Sequence, residues 1–250
     1  MIEAMIELWL VDLEACSAAL EALQRDTPRL ADDDRDRAGA VSDARERRHR
    51  LAAYTALRVL LERAAGPAVR GKPLLRAPGG KPGLGESGVD YSLSHTDGLA
   101  LIGVSRGAGS IGVDLERARP VKMSPRAYTE ICAIGEGLGG RLLPGPGTDR
   151  AFLQAWARLE AFSKARGRGL ARTLTDLGQR GTGRLRQPPP GRLEAAARRL
   201  ALVAGFSVRD LGLPPGLHGA LAAPRRTPPA RPRAFPSDRP GIERLLKQRP

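Results

Sequence analysis

The sequence has few aromatic residues and almost no cysteine. Phe, Trp and Tyr together make up 4% of the 250 residues, and the only cysteines are Cys16 and Cys132. Two cysteines so far apart define neither a disulfide framework nor a zinc site, and we interpret them as buried thiols of a reducing cytoplasm. The scarcity of aromatic rings, which stack on bases, argues against a nucleic-acid partner.

Long hydrophobic runs are also missing. Runs such as Leu99–Val104 ("LALIGV") are too short to cross a bilayer, so no membrane partner is expected. The first residues lack a basic region and carry Glu3 and Glu7, which predicts that there is no signal peptide. We therefore expect a cytoplasmic protein.

What the sequence does contain is positive charge. The formal net charge is +14, which indicates either a polyanionic partner or an arginine-rich background. The segment 224–250 carries eight Lys or Arg, two acidic residues and seven Pro. This composition predicts a disordered basic tail.

Hydrophobic periodicity predicts a mixture of strands and helices. An opening strand ("IELWLVDL") and a helix between Ser42 and Gly66 are followed by three strand-like runs, which we interpret as an antiparallel meander: "VDYSLSH", "LALIGVS" and "SIGVDLE". Helices are predicted at 123–138, with Ser124 as N-cap, and at 149–167. The late runs "LALVAGFSVRDLGL" and "GLHGALAAP" read as strands, so the fold class is α+β.

Two carboxylates share one face of the third run. Asp114 and Glu116 lie two residues apart in a strand, so both side chains project to the same side. Like charges side by side are unfavourable unless a cation such as a divalent metal lies between them. The alternative is a strand that ends in solvent, with Glu116 paired to Arg117 or Arg119.

A second charged pair lies on the helix at 149–167. Glu160 and Lys164 are four residues apart, the spacing of an ordinary surface ion pair. However, Phe152 and Trp156 precede Glu160 on the same stripe, which favours a half-buried position that needs a partner. The stretch ends in a Gly-x-Gly, where the backbone can approach a ligand closely.

Four stretches occur together in one order: "GGKPGL", "YSLSHTDGLALIGVS", "IGVDLE" and "WARLEAFSKARGRGL". In this order they resemble the 4′-phosphopantetheinyl transferase superfamily, Sfp-type branch. That family carries a G-K-P loop, S-H-S, G-[IV]-D-[IL]-E, and W-x-x-K-E-[AS]-x-x-K followed by G-x-G. Each motif is weak alone, but four in sequence are specific.

The resemblance implies two similar α+β lobes related by a pseudo-two-fold axis, with the ligand site between them. We expect lobes at 1–106 and 107–223, followed by the tail at 224–250, in a monomer. The implied activity is that of a holo-acyl-carrier-protein synthase. It moves the 4′-phosphopantetheine arm of coenzyme A to a serine of an acyl or peptidyl carrier protein and releases adenosine 3′,5′-bisphosphate. Fatty acid, polyketide and nonribosomal peptide biosynthesis all stay open.

By the same resemblance, Asp114, Glu116 and Glu160 correspond to the ligands of Mg²⁺. Lys164 corresponds to the lysine that contacts the pyrophosphate. Three carboxylates suit a hard divalent cation that shares phosphate oxygens. Glu160, directly or through a metal-bound water, is the candidate base for the serine hydroxyl.

The remaining site residues bind coenzyme A. Ser94 and His95 correspond to the loop that holds its phosphates, and Gly80, Lys81 and Pro82 correspond to the loop beside the adenine. His95 would act with Lys164 to offset charge on the leaving bisphosphate.

The 3′-phosphate is expected to bind an arginine of the first long helix. Arg50 is the first candidate, with Arg47, Arg48 and Arg58 as alternatives, because a planar guanidinium suits phosphate.

The sequence also departs from the family pattern. Leu159 stands where the family has a lysine, with Arg158 one residue earlier. Thr96 replaces a serine, and residues 32–36 ("DDDRD") form an acidic cluster. These departures leave one alternative open, a non-catalytic paralogue that binds a carrier protein or coenzyme A.

Overall fold

The structure, a computed structural model, describes residues 4–76, 81–178 and 190–248. The described residues form two compact units. One contains residues 4–76, 82–109 and 230–248, and the other contains residue 81 and residues 110–229 apart from the gap at 179–189. Both units combine a sheet with helices, so the predicted α+β class is confirmed, whereas the pseudo-two-fold relation stays a prediction.

The first unit is built on a four-stranded sheet. Its strands are β1 (Met5–Asp12), β4 (Val89–Thr96), β5 (Leu99–Arg106) and β9 (Pro232–Ala234). Their order is β4-β5-β1-β9, with β9 parallel to β1 and the other pairs antiparallel. A short hairpin joins β2 (Leu75–Arg76) to β3 (Pro82–Gly83).

Helices cover this sheet and enclose the first core. They are α1 (Leu13–Asp26), α2 (Asp32–Gly39), α3 (Ala44–Ala65) and α8 (Arg239–Lys247). The predicted helix between Ser42 and Gly66 is confirmed, although its N-cap is Asp43, which accepts a hydrogen bond from the Glu46 amide at 2.7 Å. The buried stripe of α3 packs with Trp9, Val11 and Ile102 of the sheet.

The second unit has a three-stranded antiparallel sheet. Its strands are β6 (Gly112–Arg117), β7 (Phe206–Asp210) and β8 (Leu217–Pro224), in the order β6-β8-β7. Its helices are α4 (Pro125–Gly139), α5 (Asp149–Arg166), α6 (Leu170–Asp176) and α7 (Pro190–Val203). The predicted N-cap Ser124 is confirmed, since its hydroxyl accepts from the Ala127 amide. Among the described residues, no helix combines the length and apolar composition that a membrane span needs.

Two strand predictions were wrong. The meander has only two members, because β4 and β5 form a hairpin while β6 pairs with β8 in the other unit. The run from Leu200 was predicted as a strand, but its first part completes α7, and β7 begins only after Gly205. The first error came from assigning partners to strands that periodicity alone cannot pair, and the second from a short apolar run that periodicity cannot distinguish from the end of a helix.

The prediction of a disordered tail at 224–250 is also wrong for its described residues. Residues 230–248 belong to the first unit, where β9 extends the sheet edge and α8 packs on the helices. Phe235, Ile242 and Leu245 are buried in the first core, and the Phe235 amide donates to Leu10 O at 2.9 Å. A few well-spaced apolar residues therefore anchor a segment whose composition is otherwise typical of disorder.

This packing makes the C-terminal helix essential to the first unit. Ile242→Ala removes a side chain that is 0% exposed and should lower the free energy of unfolding by about 2–5 kcal/mol. The matched control is Leu202→Ala on α7, where the side chain is 50% exposed and the change should stay within about 0.5 kcal/mol. Denaturant unfolding followed by circular dichroism measures both, and equal stabilities would contradict the packing of α8.

Candidate active site

Helix α5 lies directly on strand β6 because a glycine leaves room for it. A Cβ placed on Gly112 would lie 1.9 Å from Ala161 O and 2.5 Å from the Ala165 amide nitrogen. Asp114, on the same face as Gly112, is 4% exposed, and Lys164 Nζ donates to its Oδ1 at 2.6 Å. The close contact between helix and strand thus brings a lysine onto a buried carboxylate.

Glu116 and Glu160 belong to the same group of charges. Burial raises the pKa of Glu160; Lys164 opposes this, and Asp114 and Glu116 raise the pKa further. Burial and then Asp114 raise the pKa of Glu116, while Arg119, whose Nη2 is 3.0 Å from Glu116 Oε2, lowers it. The four predicted groups of the second unit are therefore close enough to influence one another.

The donor set suits a hard cation, although it does not form a ready metal site. Carboxylate oxygens are the ligands that Mg²⁺ prefers, and the mutual repulsion between Asp114, Glu116 and Glu160 is what a cation would relieve. Across residues 4–76, 81–178 and 190–248, however, no three acidic, histidine or cysteine side chains are grouped tightly enough to hold a metal. In the structure the positive charge beside Asp114 is the ammonium of Lys164.

Lys81 lies at the Gly-x-Gly turn that follows Lys164. Its Nζ donates to Ile111 O at 2.6 Å, and a Cβ on Gly167 would lie 3.4 Å from Lys81 Cβ. Gly167 has a φ of 65°, which favours glycine at this turn. Of the other residues of the predicted G-K-P loop, Gly80 lies outside the described residues and Pro82 begins β3 of the first unit.

In the first unit, Arg50 and His95 meet at one carboxylate. Arg50 Nε donates to Glu46 Oε1 at 3.1 Å, and His95 Nδ1 lies 3.9 Å from the same oxygen. Glu46 was missed by sequence reasoning; its position four residues before Arg50 on a helix was the available signal.

The structure places Ser94 and His95 within β4 rather than in a loop. The turn that follows contains Asp97 and Gly98, both with positive φ. Because successive residues of a strand point to opposite faces, the side chains of Ser94 and His95 project to opposite sides of β4. The expected loop is thus a strand end, on which His95 neighbours Glu46, and the binding of coenzyme A phosphates by Ser94 and His95 stays a prediction.

Arg58 has a structural role, which removes it as a phosphate candidate. Its guanidinium binds Asp34 Oδ2 at 2.8 Å from Nε and 2.6 Å from Nη2, and its Nη1 donates to Lys72 O at 2.7 Å. Both side chains of the pair are almost completely buried. The pairing also explains one member of the acidic cluster at 32–36, because Asp34 neutralises Arg58. Arg47 donates to Val41 O and Ser42 O, so Arg50 remains the first candidate.

Leu159 and Arg158 face the interior of the second unit. Leu159 is 0% exposed and belongs to its hydrophobic core. Arg158, also 0% exposed, binds Asp210 with two nitrogens at 2.7 and 2.8 Å and donates to Gly135 O at 3.0 Å. The departure from the family pattern therefore coincides with a core position, and Arg158 does not replace the absent lysine at the site.

Two further stretches match motifs of other enzyme classes in letters only. Gly103–Gly107 ("GVSRG") fits G-x-S-x-G, but Ser105 lies in β5, is 1% exposed and donates to Gly109 O. Gly83–Gly88 ("GLGESG") fits G-x-G-x-x-G, yet strand β4 follows it instead of a helix. A nucleophile elbow and a dinucleotide-binding turn both need a helix after the motif.

Restoring the family's lysine at position 159 should destabilise the fold. Leu159→Lys would bury an ammonium among apolar neighbours and should lower the free energy of unfolding by several kcal/mol. Leu159→Met, which nearly preserves volume, should cost less than about 1.5 kcal/mol. Thermal and denaturant unfolding measure the stability of both variants. A Leu159→Lys variant as stable as the parent would contradict the prediction and show that the lysine side chain can reach solvent.

Among curated proteins, the chain is similar to the 4′-phosphopantetheinyl transferase HetI of Nostoc sp. (strain PCC 7120). The two are 35% identical over 106 residues, which cover 37% of this chain and 40% of the relative. The matched region thus spans well under half the length of that protein. No protein-family model matches the chain. The similarity to HetI supports the resemblance found in the motifs.

Proposed function

We propose that the protein transfers the 4′-phosphopantetheine arm of coenzyme A to a serine of an acyl or peptidyl carrier protein, with release of adenosine 3′,5′-bisphosphate. The observation that carries the proposal is the group of Asp114, Glu116, Glu160 and Lys164, which interact across β6 and α5. Similarity to a curated 4′-phosphopantetheinyl transferase supports it independently. A cytoplasmic monomer acting on a soluble carrier protein is part of the proposal.

Asp114, Glu116 and Glu160 are the residues that would hold Mg²⁺. The ion would supply positive charge against phosphate oxygens, as hard cations do in phosphoryl transfer. Lys164 Nζ already donates a hydrogen bond to Asp114 Oδ1 at 2.6 Å, so the metal ion and the lysine would compete for this carboxylate.

Glu160 is the proposed base for the serine hydroxyl. Burial, together with the neighbouring carboxylates, raises its pKa, and a carboxylate with a raised pKa accepts a proton more readily than an exposed one. Its position on the regular helix α5 would hold the oxygen atoms in a fixed direction. The proton lost by the serine would thus pass to Glu160 as the phosphorus–oxygen bond forms.

Charge on the coenzyme would be met by cationic groups. Lys164 would contact the pyrophosphate and offset charge on the leaving bisphosphate, and Lys81 lies beside the same Gly-x-Gly turn. In the first unit, Arg50 and His95 would bind the phosphates; both lie next to Glu46, which would hold their side chains in place before the ligand arrives. Ser94, Gly80 and Pro82 remain predicted contacts of the coenzyme.

The alternative, a non-catalytic paralogue that binds a carrier protein or coenzyme A, has less support. It was suggested by Leu159 in place of a lysine, but Leu159 lies in the core of the second unit. Apart from that lysine, the charged residues to which the proposal assigns a role are present: Asp114, Glu116, Glu160, Lys164 and His95.

The transfer reaction can be measured directly. Incubation with coenzyme A, Mg²⁺ and an apo carrier protein should add one phosphopantetheine mass to the carrier, read by intact-protein mass spectrometry. Glu160→Gln should lower the rate about 10²–10⁴-fold, because the amide cannot accept the proton. The control Glu194→Gln removes a surface ion pair with Arg198 on α7 and should leave the rate unchanged. No mass increase with fatty-acid, polyketide and peptide carriers would overturn the proposal.

The metal role has a separate test. Chelation with EDTA should stop transfer, and added Mg²⁺ should restore it. In Asp114→Asn, which keeps the shape but loses the charge, the Mg²⁺ concentration for half-maximal rate should rise at least roughly tenfold, since affinity depends on the number of charged ligands. Asp176→Asn, at a carboxylate that pairs with arginines near α6, is the matched control. A parental Mg²⁺ response in Asp114→Asn would contradict the metal role.

A further inference from the structure

A mainly apolar cavity lies in the first unit between α1, α2 and α3. It has a volume of about 370 Å³, and its apolar lining is formed by Leu20, Leu30, Leu51 and Ala52. Leu20, Leu30 and Ala52 are at most 5% exposed, so most of this lining is shielded from bulk solvent. Sites for small molecules have volumes of about 300–1,000 Å³ and are lined mostly by apolar side chains with a few polar groups. We call this space the leucine cavity.

One polar group of the leucine cavity is buried without a partner. Thr55 is 3% exposed, and within residues 4–76, 81–178 and 190–248 its hydroxyl makes no hydrogen bond. By contrast, the helical residues Thr129 and Thr175 donate to the carbonyl four residues earlier. A buried hydroxyl without a partner is unfavourable, so Thr55 is a group that a ligand would satisfy.

Gln24 offers a second hydrogen-bond donor to the cavity. Its Oε1 accepts from the amides of Arg29 at 2.8 Å and Leu30 at 3.3 Å, which fixes the orientation of the carboxamide. Its Nε2 has no hydrogen-bond partner in the part of the chain that the structure describes. A carbonyl oxygen, which has two lone pairs and no proton, is a ligand group that both donors match.

The charged residues of the lining favour an uncharged ligand. Arg35 Nη1 donates to Asp32 Oδ1 at 2.8 Å, so this guanidinium already has a counter-charge. Glu21 and Arg25 remain, and they are opposite charges four residues apart on α1. Neither an anion nor a cation therefore gains a net attraction from the lining.

The leucine cavity lies on a different face of α3 from the proposed coenzyme contact Arg50. Arg50 and Thr55 are five residues apart, which places them about 140° apart around the axis of a helix with 3.6 residues per turn. A ligand in the cavity would therefore not occupy the position of a phosphate bound at Arg50.

We propose that the leucine cavity binds a small uncharged molecule with a medium-length apolar chain and one carbonyl group. The chain would pack on the leucines, and the carbonyl oxygen would accept a hydrogen bond from the Thr55 hydroxyl. Amides, esters and ketones of this size share the required chemistry. The site does not depend on the proposed transfer activity.

The test uses the full chain with isotope-labelled leucine methyl groups, octanamide as probe and NMR titration. The methyl signals of Leu20, Leu30 and Leu51 should shift in a saturable way, whereas those of the half-exposed Leu202 on α7 should not. Octanoate should bind at least roughly threefold more weakly, because its charge loses hydration without gaining a partner. Acetamide, which lacks the chain, should not bind at the same concentrations.

Substitutions of Thr55 test the hydrogen bond. Thr55→Val keeps the shape and removes the hydroxyl, so octanamide should bind roughly three- to tenfold more weakly. Thermal unfolding should show no loss of stability, since the hydroxyl makes no hydrogen bond within the described residues. Thr55→Ser keeps a hydroxyl and should bind as the parent does. The matched control is Thr175→Val on the exposed face of α6, which should also bind as the parent does.

A second variant tests the cavity itself. Leu51→Trp places a larger side chain in the space and should abolish the binding of octanamide. Because Leu51 is only partly buried, the helix should accommodate the change, which circular dichroism checks.

Each outcome decides the proposal. Weaker binding in Thr55→Val and Leu51→Trp, with parental binding in Thr55→Ser and Thr175→Val, supports it even if the transfer assay fails with every carrier. Parental affinity in Thr55→Val overturns it, as does unfolding of that variant, which would give the hydroxyl a structural role. Absence of saturable shifts in the parent chain overturns it, and so does octanoate that binds as tightly as octanamide. Excess coenzyme A should leave octanamide bound, and displacement would locate the amide at the coenzyme contacts and overturn the proposal.

Discussion

The arrangement of charges in the second unit depends on how closely α5 approaches β6. A side chain at Gly112 would collide with the backbone of α5 at Ala161, so only glycine allows the helix to lie this near the strand. At this separation the side chain of Lys164 reaches Asp114, one pleat along the same face. One missing Cβ thus determines which charged groups can meet.

Electrostatic balance follows from that contact. Lys164 binds Asp114 and lowers the pKa of Glu160, and Arg119 binds Glu116 from the rim. Even so, burial and the repulsion between the three carboxylates raise the pKa of two of them, Glu116 and Glu160. An arrangement of this kind costs stability and is common where a protein handles protons or cations.

Local sequence patterns predicted the helices and strands well. They did not predict which strands or side chains pair when the partners are far apart in sequence. Hydrophobic periodicity and capping residues predicted strand β1, the β4–β5 hairpin and helix α5. The spacing of the motifs predicted the four charged groups that lie on β6 and α5. The sheet to which β6 belongs depends on β8, about a hundred residues later, and no local signal specifies that choice. Arg58 looked like a phosphate-facing cation for the same reason, since its buried partner Asp34 is distant in sequence.

The basic C-terminal segment shows why composition and charge need to be considered residue by residue. Its arginines suggested a solvated tail, but Arg239 binds Asp26 at 2.5 Å and Glu243 at 2.7 Å, and Arg233 lies 5.9 Å above the ring of Trp9. Such exposed pairs add little free energy individually, so burial of Ile242 and its apolar neighbours must supply most of the stabilisation. The arginines then act mainly by satisfying carboxylates of the first unit. A net charge of +14 is therefore a poor measure of the charge available to a ligand, because arginines such as Arg239 already bind carboxylates of the chain.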